Sequence, residues 1–166
     1  MTTEAAFCPR CGAGLPSRPP TRCTACSYAL YVNARPTATV VIVDDGRFLA
    51  VRRAIEPHLG RWVLPGGFCD GWEHPAQAAV REAREELGVE VVLSQFLGMY
   101  LGPYEFQGEI LPVLDCSWLA AIVTGPIRID EREATEFAWL SLADPPELGF
   151  ETMNRTIIDA RKVFGG

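Results

Sequence analysis

Gly67-Phe68-Cys69-Asp70-Gly71-Trp72-Glu73-His74-Pro75-Ala76-Gln77-Ala78-Ala79-Val80-Arg81-Glu82-Ala83-Arg84-Glu85-Glu86-Leu87-Gly88-Val89 is the stretch on which the reading of this chain turns. Placed on a helix from Glu73 to Leu87 at about 100° per residue, Ala76, Ala79, Val80, Ala83 and Leu87 form one apolar stripe that must pack against a core. Glu82, Glu85 and Glu86 fall together on the flank of that stripe. Like charges one turn apart oppose a helix by about 0.2–0.5 kcal/mol per pair in water, and by more at lower dielectric. Something positive is therefore expected beside them. Hard divalent cations such as Mg²⁺ or Mn²⁺ prefer carboxylate and carbonyl oxygens and keep several waters, so the cluster suits Mg²⁺ with a substrate phosphate completing its shell. Arg81, four residues before Glu85, is placed to hold one carboxylate.

A helix rich in Glu and Arg is in most proteins only a solvated face, and here the flanks decide otherwise. Leu64-Pro65-Gly66-Gly67 precedes the helix as a tight loop through which backbone carbonyls can approach a cation or phosphate, and Gly88 is a natural helix stop. The whole arrangement resembles the signature of the Nudix hydrolases, G-x5-E-x7-R-E-U-x-E-E-x-G-U, at every fixed position: Gly67, Glu73, Arg81, Glu82, Glu85, Glu86 and Gly88. Ala83 occupies the first bulky-aliphatic slot, a smaller residue that removes no ligand, and Val89 fills the second. The resemblance implies hydrolysis of a diphosphate linked to a nucleoside. It implies Glu82 and Glu86 as principal metal ligands, Glu85 as a further ligand or the general base, the Gly66 carbonyl as a backbone ligand, and Arg81 as the group that orients a glutamate. Glu73, at the helix start, is expected to be structural. Some family members take their base from a loop beyond the sheet. Asp130-Glu131-Arg132-Glu133-Ala134-Thr135-Glu136 looks like such a loop, with Glu133 and Glu136 ahead of Phe137-Ala138-Trp139 in an E-x-x-E-x-x-W spacing, which makes Glu133 the alternative base.

With 166 residues, 48% hydrophobic and 22% charged content and a formal net charge of −6, the chain fits one catalytic domain plus a small appendage and disfavours wholesale nucleic-acid binding. No apolar run approaches the ~20 residues of a membrane span. The opening Met1-Thr2-Thr3-Glu4-Ala5-Ala6 lacks the basic flank and apolar centre of an export signal, so a cytoplasmic protein without membrane partners is expected. Cys8-Pro9-Arg10-Cys11 and Cys23-Thr24-Ala25-Cys26 are paired C-x2-C knuckles, whereas Cys69 and Cys116 stand apart. Two disulfides or a redox pair are the other readings of four such cysteines. The duplicated knuckle and the absence of an export signal favour a structural Zn²⁺ on Cys8, Cys11, Cys23 and Cys26. A segment so poor in apolar residues has little core without the metal.

A zinc ribbon is thus expected over residues 1–31 and a Nudix-type domain over 36–166. Strands are expected at Thr37–Val43 and Phe48–Arg52, joined by the Asp45-Gly46 hairpin signal, and at Gly67–Cys69. Further strands are expected at Glu90–Met99, Leu111–Val123 and Phe137–Leu140, with a turn-rich stretch from Gly102 to Gly108 between the two long ones. Thr152–Phe164 reads as a closing helix with Met153, Ile157, Ala160 and Phe164 on one face. The sum is α/β, a mixed sheet with helices on both faces, an α/β/α sandwich preceded by the ribbon; the Nudix resemblance implies the same fold.

Substrate is less legible. Tyr100, Tyr104, Phe106 and Trp118 are candidates for stacking a nucleobase and Arg52 or Arg53 for meeting phosphate, though each residue type is more often core or surface. A ribbon ahead of the catalytic domain resembles NADH pyrophosphatases, but their proline- and tryptophan-rich block after the box is missing, with Ser94-Gln95-Phe96-Leu97 sharing only its beginning. The expected substrate is a nucleoside diphosphate derivative such as ADP-ribose, FAD or an NADH-like dinucleotide, with oxidised nucleoside triphosphates as the alternative. A nucleotide sensor is the reading from another class, against which the intact glutamates and acidic balance argue. Arg10, Arg18 and Arg22 are too few for a nucleic-acid track, so the ribbon is expected to act as scaffold or in a homodimer.

Overall fold

The computed structural model describes residues 6–164. The outermost ends of both expected domains, residues 1–5 and 165–166, lie outside the described residues. A two-stranded antiparallel sheet, β1 (Thr21–Arg22) and β2 (Ala29–Leu30), flanks the second cysteine knuckle, Cys23–Cys26.

The main sheet is organised by β3 (Arg35–Asp44), whose Val40, Val41 and Ile42 are buried on both faces as expected of a central strand. Asp45 and Gly46 both take positive φ, the two-residue turn that returns the chain into β4 (Arg47–Arg53). β4 also carries β5 (Trp62–Val63), a short strand the sequence does not announce, and β9 (Ala134–Ser141). Along its first half β3 pairs with β6 (Gly66–Phe68), Thr37 opposite Phe68 and Thr39 opposite Gly66. On its other side it runs parallel to β8 (Glu109–Thr124), with Thr37 beside Asp115 and Thr39 beside Ser117. β7 (Glu90–Phe106) pairs antiparallel with β8 and closes the sheet.

The stretch from Gly102 to Gly108 corrects the turn expected there. Gly102 and Pro103 continue the ladder opposite Val113 and Pro112, and the turn is only Gln107-Gly108. Glycine and proline suggested a loop, but the extended pairing with β8 overrides their weak strand preference.

Helix α1 (Pro75–Leu87) packs on β3 and β6, and α2 (Glu151–Phe164) packs on β7 and β8, giving the mixed-sheet sandwich with helices on both faces. α1 starts two residues later than Glu73 because His74 is its N-cap: its Nδ1 accepts from the Ala76 amide at 3.1 Å, and Gln77 returns a bond to the His74 amide at 3.2 Å. Pro75 fits the first helical position. The buried face is Ala78, Ala79, Ala83, Glu86 and Leu87. Ala76 is only half-buried, and Glu86 belongs to the packed face rather than its flank. In α2, Met153, Ile157 and Ala160 are buried with Thr152 and Thr156, while Phe164 is exposed in the last turn.

Candidate active site and cysteine centre

Five N–H groups of Arg81 organise the glutamates. Nε and Nη2 donate to the two oxygens of Glu73 at 3.0 and 2.9 Å, Nη1 donates to Glu82 and Glu85 at 2.8 Å each, and Nη2 also reaches the Phe68 carbonyl at 3.0 Å. Every donor of the guanidinium therefore has an acceptor, a geometry that only the planar fork of arginine provides. Glu73 lies before the helix, where its other bond, from the Asp70 amide at 3.0 Å, ties it to the loop. Its carboxyl is held below the usual range by Arg81 first and by that amide second. Arg81 thus clamps the loop, the strand β6 and the helix together while it spaces two carboxylates.

Glu86 accepts from the Gly66 amide at 3.0 Å and is almost fully buried, which pushes its pKa up to about 8. Burial also raises Glu82, against the opposing pull of Arg81. Glu85 is 56% exposed at its side chain. The glycine before the helix is required by contact: a Cβ on Gly67 would stand 2.5 Å from a Glu82 carboxylate oxygen. Both strand and helix are thereby drawn so close that the carboxylates lie against the β6 backbone.

These residues line one cleft of ≈ 270 Å³, together with Glu133. The Glu133 carbonyl accepts from the Ala54 amide at 2.8 Å, which fixes the loop before β9 against the loop after β4. Of the aromatic and basic candidates, Tyr104 and Arg53 line the cleft and the others do not. Tyr100 is buried and donates to Asp159 at 2.8 Å; Trp118 packs against Phe96; Phe106 lies at the hairpin tip. Arg52 stacks over Trp62 at 4.3 Å and donates to Glu136, so neither Arg52 nor Glu136 faces the glutamates. Several lining residues escaped the sequence reading: Phe150, stacked on Tyr104 at 5.5 Å, and the polar set Thr37, Thr39, Asp115 and Thr152. A lone acid inside the apolar run Leu111–Leu119 was the available signal.

The residues suit a hard divalent cation. Glu82 and Glu86, whose ionised forms are disfavoured by burial, share a wall lined by Arg53, while Arg81 is divided among Glu73, Glu82 and Glu85, so the carboxylates outnumber the cations and a divalent ion would supply the remaining positive charge. The carboxylate oxygens do not converge as ligands do in a closed cage; among the described residues only the four cysteines form a group of three or more ligand side chains whose atoms all lie within 4.8 Å of one another. Mg²⁺ usually keeps several waters and is completed by substrate phosphate, so convergence is not required of its protein ligands.

Cys8, Cys11, Cys23 and Cys26 form that converged group, with Sγ–Sγ separations of 3.7 Å for Cys8–Cys26 and for Cys11–Cys23. A disulfide needs about 2.05 Å, whereas a tetrahedron with Zn–S bonds of about 2.3 Å has edges of about 3.8 Å. The four thiols therefore have the spacing of a tetrahedral thiolate site. Cys69 is unlike them: burial pushes its thiol up to about 11, which suits packing rather than reactivity.

Comparison with known proteins follows the same lines. The NUDIX domain model matches residues 33–160. The chain is 27% identical to the ADP-ribose pyrophosphatase of Methanocaldococcus jannaschii over 125 residues, 75% of this chain and 72% of that one. It is 29% identical to the NAD-capped RNA hydrolase NudC of Pseudomonas aeruginosa over 157 residues, which are 92% of this chain but 54% of that enzyme. A crystal structure of a NUDIX hydrolase from Nitrosomonas europaea superposes with a TM-score of 0.75 at 20% identity, over 99% of this chain and 94% of that one, a likeness of fold. Among the described residues no helix is long and apolar enough to cross a membrane.

Proposed function

The chain belongs to the Nudix family of pyrophosphohydrolases, and from that premise we propose that it is a Mg²⁺-dependent hydrolase of a nucleoside diphosphate linked to a second moiety, of the ADP-ribose kind, carrying a structural zinc ribbon over residues 1–31 ahead of a catalytic domain over 36–166. The observation that carries the reading is the pair of carboxylates, buried Glu86 and largely buried Glu82, held beside the β6 backbone by the Gly66 amide and Arg81. Similarity to an ADP-ribose pyrophosphatase supports the substrate class.

In this reading Glu82, Glu85, Glu86 and the Gly66 carbonyl hold the catalytic metal. When bound, the cation neutralises phosphate charge and acidifies a water. Arg81 keeps Glu82 and Glu85 in position through two 2.8 Å bonds. Arg53, at the cleft wall, is placed to meet phosphate. Glu85 or Glu133 takes the proton of the attacking water. Cys8, Cys11, Cys23 and Cys26 hold the zinc.

The test is a panel of nucleoside diphosphate derivatives and triphosphates assayed for Mg²⁺-dependent formation of the nucleoside monophosphate with the natural chain and with Glu85→Gln plus Glu86→Gln. Loss of turnover without unfolding, shown by a retained cooperative melting transition, is expected; retained turnover refutes the metal site. Single Glu85→Gln and Glu133→Gln variants assign the base, whose removal costs about 10²–10⁴-fold. Tight binding without hydrolysis across the panel would favour a sensor.

A further inference from the structure

The cleft has a second end that the diphosphate chemistry leaves unused. Asp115, in the middle of β8, is 2% exposed and forms part of the cleft wall. Its Oδ1 accepts from the Thr39 hydroxyl at 2.8 Å and from the Thr37 hydroxyl at 3.3 Å, and Thr152 of α2 lines the same wall. An ionised carboxylate has about four acceptor positions. Two neutral hydroxyls, both on Oδ1, leave acceptor positions open, and among the described residues no Lys or Arg pairs with the group. Burying an acid without a charged partner is costly. Its place on a cleft wall marks a point at which a ligand can bring the missing donor.

A metal is not the fitting ligand. A hard cation collects several carboxylate or carbonyl oxygens, whereas Asp115 is surrounded by hydroxyls that donate to it. Nor is it an extension of the glutamate wall. Asp115 stands beside Thr37 on one side of β3 and Gly66 opposite Thr39 on the other, so two strand spacings, about 10 Å, separate the acid from the backbone that holds Glu86. A nucleoside covers such an interval between its base edge and its phosphates. Tyr104, with Phe150 stacked on it at 5.5 Å and Phe68 edge-on at 5.1 Å, supplies an aromatic surface in the same cleft.

We infer that Asp115 is the specificity residue of the cleft: its carboxyl group accepts the exocyclic amino group of a nucleobase lying against Tyr104 or Phe150, and selects amino-bearing bases over carbonyl-bearing ones. The inference rests on the reading of the cleft as a nucleotide site. Selection follows because a carbonyl in place of the amine would set two acceptors face to face at a buried position.

The test separates base reading from catalysis by using mononucleotides, which need no turnover. Binding of AMP against IMP and purine riboside monophosphate, and of CMP against UMP, is measured by calorimetry with the natural chain and with Asp115→Leu. In the ring class the cleft accepts, the amino form is expected to bind about tenfold or more tightly, and Asp115→Leu is expected to level the pair. Equal binding within both classes by the natural chain, or no binding of any of the five, overturns the inference whether or not the variant folds. So does a preference that survives in Asp115→Leu. If the amino preference holds while no diphosphate derivative is hydrolysed, the hydrolase reading fails and this one stands.

Discussion

The cysteine knuckles and the glutamate cleft are two candidate metal sites built on opposite plans. In the ribbon four sulfurs already stand within 4.8 Å of one another, and among its described residues the buried apolar ones are Cys8 and Cys23 themselves. The metal would replace a core. In the cleft the core is complete without a cation: Phe48, Leu49, Leu64 and Leu87 are fully buried around the strands that carry the site. There the carboxylates are kept apart by an arginine and a backbone amide. A site that closes on its metal serves folding, and one that leaves room serves a substrate.

The largest expected effect breaks the ribbon half of that contrast. Structural Zn²⁺ contributes about 10–16 kcal/mol of apparent binding free energy at neutral pH in small zinc domains. Cys23→Ser should therefore abolish the zinc equivalent seen by elemental analysis and open the ribbon to limited proteolysis, while the melting transition of the rest persists. Withholding Mg²⁺ should do neither. A zinc-free ribbon that still resists protease would erase the distinction.

A smaller effect sharpens the cleft half. Arg81→Lys keeps the charge but offers three donors where five are used. Losing a group that orients metal ligands costs about 10–100-fold in affinity or activity, so the Mg²⁺ dependence of turnover should shift to higher concentration with kcat reduced over that range. Unchanged Mg²⁺ affinity would mean that the carboxylates hold their positions without the clamp.

How much of this was readable depended on whether the chemistry needed residues close in sequence. Glu82, Glu85, Glu86 and Arg81 lie within two helical turns, and the cysteine pairs within short knuckles, so spacing alone predicts their company. The bond from Arg81 to Glu73 spans eight residues and escaped, because it depends on the helix beginning at Pro75 behind a histidine cap. Thr39 and Asp115 are 76 residues apart and meet only because β3 and β8 run parallel in one register. Phe150 likewise reaches the cleft through a loop held by Asn154, which bonds the Leu148 amide at 2.8 Å and the Phe150 carbonyl at 2.9 Å. No periodicity in the chain encodes such pairings.

The smallest effect concerns that hidden acid, and it tests whether the cleft harbours an uncompensated carboxyl far from any metal. Burial raises the Asp115 pKa above its ordinary value, with the threonine hydroxyls pulling the other way. The native state then holds the proton more tightly than the unfolded chain, so the stability gained is complete below the unfolded pKa of about 3.9 and declines as pH rises through the folded value. Asparagine has no proton to lose and keeps the shape of the side chain. The melting temperature of Asp115→Asn relative to the natural chain should therefore climb as pH is raised from 4 upward, by a few degrees for each kcal/mol in a chain of this size. Differencing the two proteins cancels the contribution of Glu86 and Glu82, which titrate in both. A gap that stays constant with pH would mean that Asp115 is compensated in the free protein, and would take away the unmet demand on which its reading of the base depends.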